Sequence, residues 1–173
     1  MWLGATVAAS FLVLIIFGVE IYRTAPPFPT KIVVSDGEVL YEGQDIKDGQ
    51  NVWQSMGGQT VGSIWGHGAY IAPDWNADYL HRETEMLLEL FAQKDGKTYK
   101  DLPEDEQAKY LVQLRKELRT NTYDAASGVS TFSPERAQVA RALADYSPKR
   151  FMDDPAMDHV RKSYAIPKGA IKD

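Results

Sequence analysis

Three histidines, His67, His81 and His159, are the first side chains to weigh for chemistry, because imidazole ligates metals and moves protons near neutral pH. Their separations match no zinc-ligand spacing, and the chain has no cysteine to complete such a set. The absence of cysteine also removes disulfides and thiolate nucleophiles. His81 and Glu85 stand one helical turn apart, a spacing that suits either general acid/base work or a solvated docking pair. The loop Gly66-His67-Gly68-Ala69-Tyr70 leaves backbone carbonyls accessible, and calcium accepts such oxygens. A glycine turn at Gly68 with Tyr70 packed inward explains the same residues without a metal. No phosphate-cradling loop, nucleophile elbow or dinucleotide fingerprint occurs, so no catalytic residue is assigned.

Four tryptophans include Trp53, Trp65 and Trp75, which with Tyr70 bracket a short glycine-rich segment. Each such ring can bury about 150–250 Å². Pocket filling is the use expected of them, with an ordinary core or a docking patch as the alternative, and His67 and His81 lie beside them in the sequence.

The elements that hold these residues begin with an apolar run. Trp2 to Val19 carries no charge, and as a helix it would be about 27 Å long, enough to cross a bilayer. No basic segment precedes it, and it exceeds the usual apolar length of a cleaved signal, so a retained anchor over residues 1–23 is expected. Small residues Gly4, Ala5, Ala8 and Ala9 permit close approach of a neighbouring membrane helix. Residues 24–30, with Pro26, Pro27 and Pro29, read as a stiff exit linker.

Residues 31–173 read as one mainly helical domain with a small β component. Lys31–Val34 and Glu38–Tyr41 flank an Asp-Gly turn and predict a hairpin. A helix capped by Asp45 should run to Met56, ending at Gly57-Gly58. A second is expected from about Asn76 to Gly96, a third with Pro103 in its first turn, and a fourth opened by Ser133-Pro134-Glu135. Thr120 to Phe132 is turn-rich and suits a short strand pair; the tail from Ser147 holds one short helix near Ala156–Lys162 and returns towards the membrane.

With 44% hydrophobic and 25% charged residues in 173, the chain has the composition of a folded domain plus an appendage. Its net charge of -5 offers no basic face for nucleic acid.

The stretch Gly58-Gln59-Thr60-Val61-Gly62 followed by Trp65-Gly66-His67-Gly68-Ala69-Tyr70-Ile71-Ala72-Pro73 resembles the haem-attachment segment of the cytochrome c subunit of nitric oxide reductases. There a Cys-x-x-Cys-His box precedes a Gly-x-Gly-Ala-Tyr-x-Ala-Pro stretch. The alignment puts Gly58, Val61 and Gly62 at the two thioether cysteines and the ligating histidine, so covalent haem c cannot form. This combination is similar to the quinol-dependent nitric oxide reductases, whose N-terminal anchor and haem-less, cytochrome c-like periplasmic domain the chain resembles. The likeness is most specific over residues 49–85.

The resemblance implies an enzyme that reduces two nitric oxide molecules to nitrous oxide and water with electrons from quinol. Haem b, a second haem b and non-haem iron lie in a multi-helix membrane portion beyond this segment. It also implies calcium at the junction with that portion, with Gly68 and Tyr70 among its ligands, and an inner-membrane protein with its domain on the periplasmic face. Positive-inside counting of Arg23 and Lys31 points the other way. Two alternatives share these residues: a membrane-tethered, non-catalytic binding or assembly module, and the equivalent domain of a related nitric oxide dismutase.

Overall fold

The computed structural model describes residues 2–55, 57–58, 62–64 and 74–169. Helix α1 (Trp2–Thr24) is uncharged from Trp2 to Val19, carries Glu20 and Arg23 in its last turns, and buries none of its residues against the rest of the chain. At about 1.5 Å per residue its 23 residues reach about 35 Å, more than the ~30 Å hydrocarbon core.

The hairpin forms as β1 (Lys31–Val34) and β2 (Val39–Glu42), antiparallel, with Gly37 at φ +93° in the turn. A second pair, β3 (Tyr123–Asp124) and β4 (Val129–Phe132), is also antiparallel. The two pairs join into one four-stranded sheet of order β2-β1-β4-β3, because β4 pairs in parallel with β1, Lys31 opposite Val129 and Val34 opposite Phe132. Parallel neighbours need a long crossover, and three helices supply it here.

Helix α2 (Gly43–Ser55) starts three residues earlier than a cap at Asp45 predicts. Asp45 is therefore not the cap residue itself. It sits in the first turn and its carboxylate accepts the Glu42 N–H at 2.9 Å, reaching back as the acidic member of a capping box does. Gly43 is buried where α2 turns off the sheet. Its N–H donates to Thr30 O at 2.7 Å, and a Cβ there would stand 2.9 Å from the same oxygen, so only glycine fits without displacement.

Helix α3 (Trp75–Lys94) is capped by Asp74, whose carboxylate accepts from Asn76 N and Ala77 N. It ends at Gly96, held at φ +71°. Helix α4 (Glu104–Arg119) follows Pro103, which stands just before the helix rather than within its first turn. Helix α5 (Pro134–Lys149) is capped by Ser133 and continues past Pro148 into its last turn. A short 3-10 turn at Pro155–Met157 leads into α6 (Asp158–Ser163).

The core lies where α3 is packed between α4 and α5. Leu87, Leu88, Phe91 and Ala92 of α3 meet Tyr110 and Leu114 of α4 and Val139 and Leu143 of α5. Their three- and four-residue spacing is the apolar stripe of a core-facing helix. The described residues are thus mainly helical with a small sheet, and among them one helix is long and apolar enough to span a membrane, as the sequence patterning predicts.

Candidate functional site

Helices α2 and α3 converge on the glycine-rich segment, and the aromatic residues at their facing ends define the site. Trp53, near the C-terminus of α2, meets Trp75, the first residue of α3, edge to face with centroids 6.5 Å apart. Trp75 also packs edge-on against Phe151 and Tyr164, each at 5.6 Å. Such edge-to-face geometry aligns ring quadrupoles favourably. A short bridge pairs Ser63 with Asp74, and the Trp75 N–H donates to Ser63 O at 2.9 Å, tying the segment to the start of α3.

Gly58 lies under the Trp53 indole. A Cβ built on it would collide with the six-membered ring, coming within 2.7 Å of Cε3 and closer still to Cδ2 and Cε2. A cysteine at this position would meet the same obstacle. The residue types give an equally firm result: with no cysteine anywhere, the chain offers no thioether donor, and the described residues around Gly58 do not fit covalent haem c.

Behind Trp75 lies a buried ionic cluster that sequence reading did not single out. The Asp78 carboxylate accepts from Arg82 Nε at 3.1 Å, from Arg150 and from the Tyr164 hydroxyl at 3.0 Å. The Arg150 guanidinium sits 4.8 Å from the Trp75 ring centroid and 5.5 Å from that of Tyr146. Burial opposes ionisation of Asp78, yet the Arg82 hydrogen bond and the Arg150 charge outweigh it and hold the carboxyl below its ordinary value. The Tyr164 hydroxyl is pushed up, by burial first and by its bond to Asp78 next. The available signal was Asp78 and Arg82 at a four-residue helical spacing; Arg150 and Tyr164 come from 72 and 86 residues away, beyond local pattern.

Arg161 of α6 is nearly inaccessible and donates to Met152 O at 2.7 Å, to Asp154 O at 2.6 Å and to Asp158. It folds the tail into a rigid corner, which presents Tyr164 to Asp78. Further along α3, Glu83 is fully buried and accepts from Arg136 Nε at 2.8 Å, while Arg136 stacks on Phe132 at 4.2 Å. Tyr79 is pushed up to about 12, by burial first and by the Glu83 charge second.

Of the residues marked from sequence, Trp53, Gly58 and Trp75 come together, with Gly62 lining the same region. His81 does not join them: it pairs with Glu85 at 3.6 Å, both well exposed, on the solvent face of α3. Val61, Trp65, His67, Gly68 and Tyr70 lie outside the described residues, as does the calcium expectation that rests on them. Among the described residues no group of three or more His, Asp or Glu side chains is arranged to hold a metal ion. The arrangement is a junction in which aromatic rings meet at Gly58 and Trp75 and a buried, charge-paired cluster lies behind them.

Residues 29–173 match the family model for the cytochrome c-like domain of the nitric oxide reductase protein NorB. No curated protein matches the chain.

Proposed function

Because the chain belongs to the family of NorB cytochrome c-like domains of nitric oxide reductase, we propose that it is the haem-less N-terminal part of a quinol-dependent nitric oxide reductase. In this reading α1 anchors the protein in the inner membrane, and residues 31–173 form a periplasmic cap over a catalytic membrane portion outside this chain. That portion carries haem b, a second haem b and non-haem iron and reduces two nitric oxide molecules to nitrous oxide and water.

The observation that carries the proposal is Trp53 on Gly58 in a cysteine-free chain. A cytochrome-dependent enzyme receives electrons through haem c, and a domain with an indole at the attachment position has nothing to relay them. Electrons then enter the membrane portion directly, and quinol is the donor that reaches it there. Calcium at the junction, with Gly68 and Tyr70 as ligands, belongs to the same proposal and supplies structural bridging.

The test is donor specificity of the full-length protein isolated from native membranes. Nitric oxide consumption should be sustained by a reduced quinol and not by reduced cytochrome c. Consumption driven by cytochrome c alone would overturn the quinol assignment, and absence of consumption with either donor would favour a non-catalytic module.

A further inference from the structure

Trp53 has a second role beside covering Gly58. With Phe28, Ile46, Gly49, Ser63 and Ile64 it lines an open, mostly apolar cleft of about 540 Å³. That volume is within the ~300–1,000 Å³ of small-molecule sites. The cleft is unfilled over Gly49, where a Cβ would meet nothing within 4 Å. Phe28 at its edge is 50% exposed and Ile64 39%, although both are large and apolar. Ser63 Oγ is buried yet has no hydrogen-bond partner among the described residues. A buried hydroxyl without a partner gains a bond when it rotates towards one, so an apolar cleft bordered by Ser63 suits a ligand with an apolar body and a hydrogen-bonding head.

The tether indicates which ligand. Phe28 follows Thr24, the last residue of α1, by only four residues, at most about 14 Å of extended chain. Helix α1, at about 35 Å, already exceeds the ~30 Å hydrocarbon core and emerges in the headgroup layer. With α1 as the anchor, the tether keeps the cleft edge within reach of the headgroup and glycerol layer. Aromatic residues with a polar handle favour that depth, and Trp53 is one.

Resting on the membrane-anchor reading of α1, we infer that this cleft binds a membrane phospholipid. The upper acyl chain lies along Ile46, Gly49, Trp53 and Ile64, and an ester oxygen accepts the Ser63 hydroxyl. The Gln50 and Gln54 amides, also on the lining, face the glycerol region. The domain then rests on the bilayer through a bound lipid as well as through its covalent tether.

The test uses the full-length protein in phosphatidylcholine vesicles containing lipid brominated near the glycerol end of the acyl chains. The Trp53 contribution is read as the fluorescence difference between the protein and its Trp53→Phe variant. Brominated lipid should quench this contribution, and aqueous iodide should not. Gly49→Leu, which improves helix propensity while filling the cleft, should lessen the lipid quenching and leave the helical circular dichroism intact. Quenching by iodide but not by brominated lipid would overturn the proposal, as would a Gly49→Leu protein quenched as before. Trp2, read by the same subtraction with Trp2→Phe, is the internal control. If Trp2 is not quenched, the anchor itself fails; if Trp2 is quenched and Trp53 is not, the cleft proposal fails alone.

Discussion

The indole of Trp53 lies on Gly58 so closely that the backbone at position 58 has no room for a side chain. If position 58 corresponds to a thioether cysteine of the cytochrome subunits, as the resemblance implies, the Trp53 indole fills the space that side chain would need.

Gly58→Ala should therefore destabilise the domain even though alanine is otherwise well tolerated. The added methyl must push a ring already braced against Trp75, and overpacking of this kind costs about 1–3 kcal/mol. Urea denaturation measures it. Pairing Gly58→Ala with Trp53→Leu should recover part of the loss, because the smaller side chain vacates the space; equal stability of Gly58→Ala and the parent would show that the indole is not held there.

Asp78→Asn should cost about 3–5 kcal/mol, the range for breaking a buried ion pair, because Arg150 keeps its charge and loses its counter-ion. The loss should appear as a lowered melting temperature with the tail released from α3, seen as faster proteolysis near Tyr164. Arg161→Ala should release the same tail from its other end.

The pH dependence follows from the same carboxylate. Asp78 is held below its ordinary value of 3.8, so its stabilising contribution is complete above that value and is lost as pH falls through the lowered folded one. Thermal melts across the acid range should show this loss, and Asp78→Asn should remove part of it. Glu135, beside Lys94, and Asp158, beside Arg161, are lowered too, so some acid sensitivity should persist in the variant.

Tyr79 contributes on the alkaline side, alongside Tyr41, Tyr110 and Tyr164, which are raised too. Its hydroxyl stays neutral up to about 12 in the folded protein but ionises near 10 when unfolded, so stability falls as pH rises from about 10 to about 12. Ultraviolet titration should show a late-ionising tyrosine that disappears in Tyr79→Phe. The same variant should lose its share of the alkaline slope.

Local pattern carried most of the fold. Apolar residues at helical spacing placed α3 and α5, Pro103 placed α4, and Ser133-Pro134 and Gly96 marked ends that the structure keeps. The hairpin was legible because Asp36-Gly37 favours a tight turn. What escaped was long-range. Nothing within Lys31–Val34 or Val129–Phe132 says that these strands pair in parallel, since that register depends on three intervening helices. The Asp78–Arg150–Tyr164 cluster was invisible for the same reason, whereas His81 and Glu85, adjacent on one helix, drew notice and lie on the solvent face. Trp53 and Trp75 stand out in the sequence as aromatics near glycines; their edge-to-face contact, between the end of α2 and the start of α3, is not written in local pattern.

The central claim is that this domain has a cytochrome c-like frame and no electron carrier of its own. Acid-acetone extraction of the full-length protein, followed by a pyridine haemochrome spectrum of both fractions, tests it directly. All haem should leave with the solvent as haem b, and the polypeptide pellet should be colourless. A c-type spectrum retained on the polypeptide would contradict it.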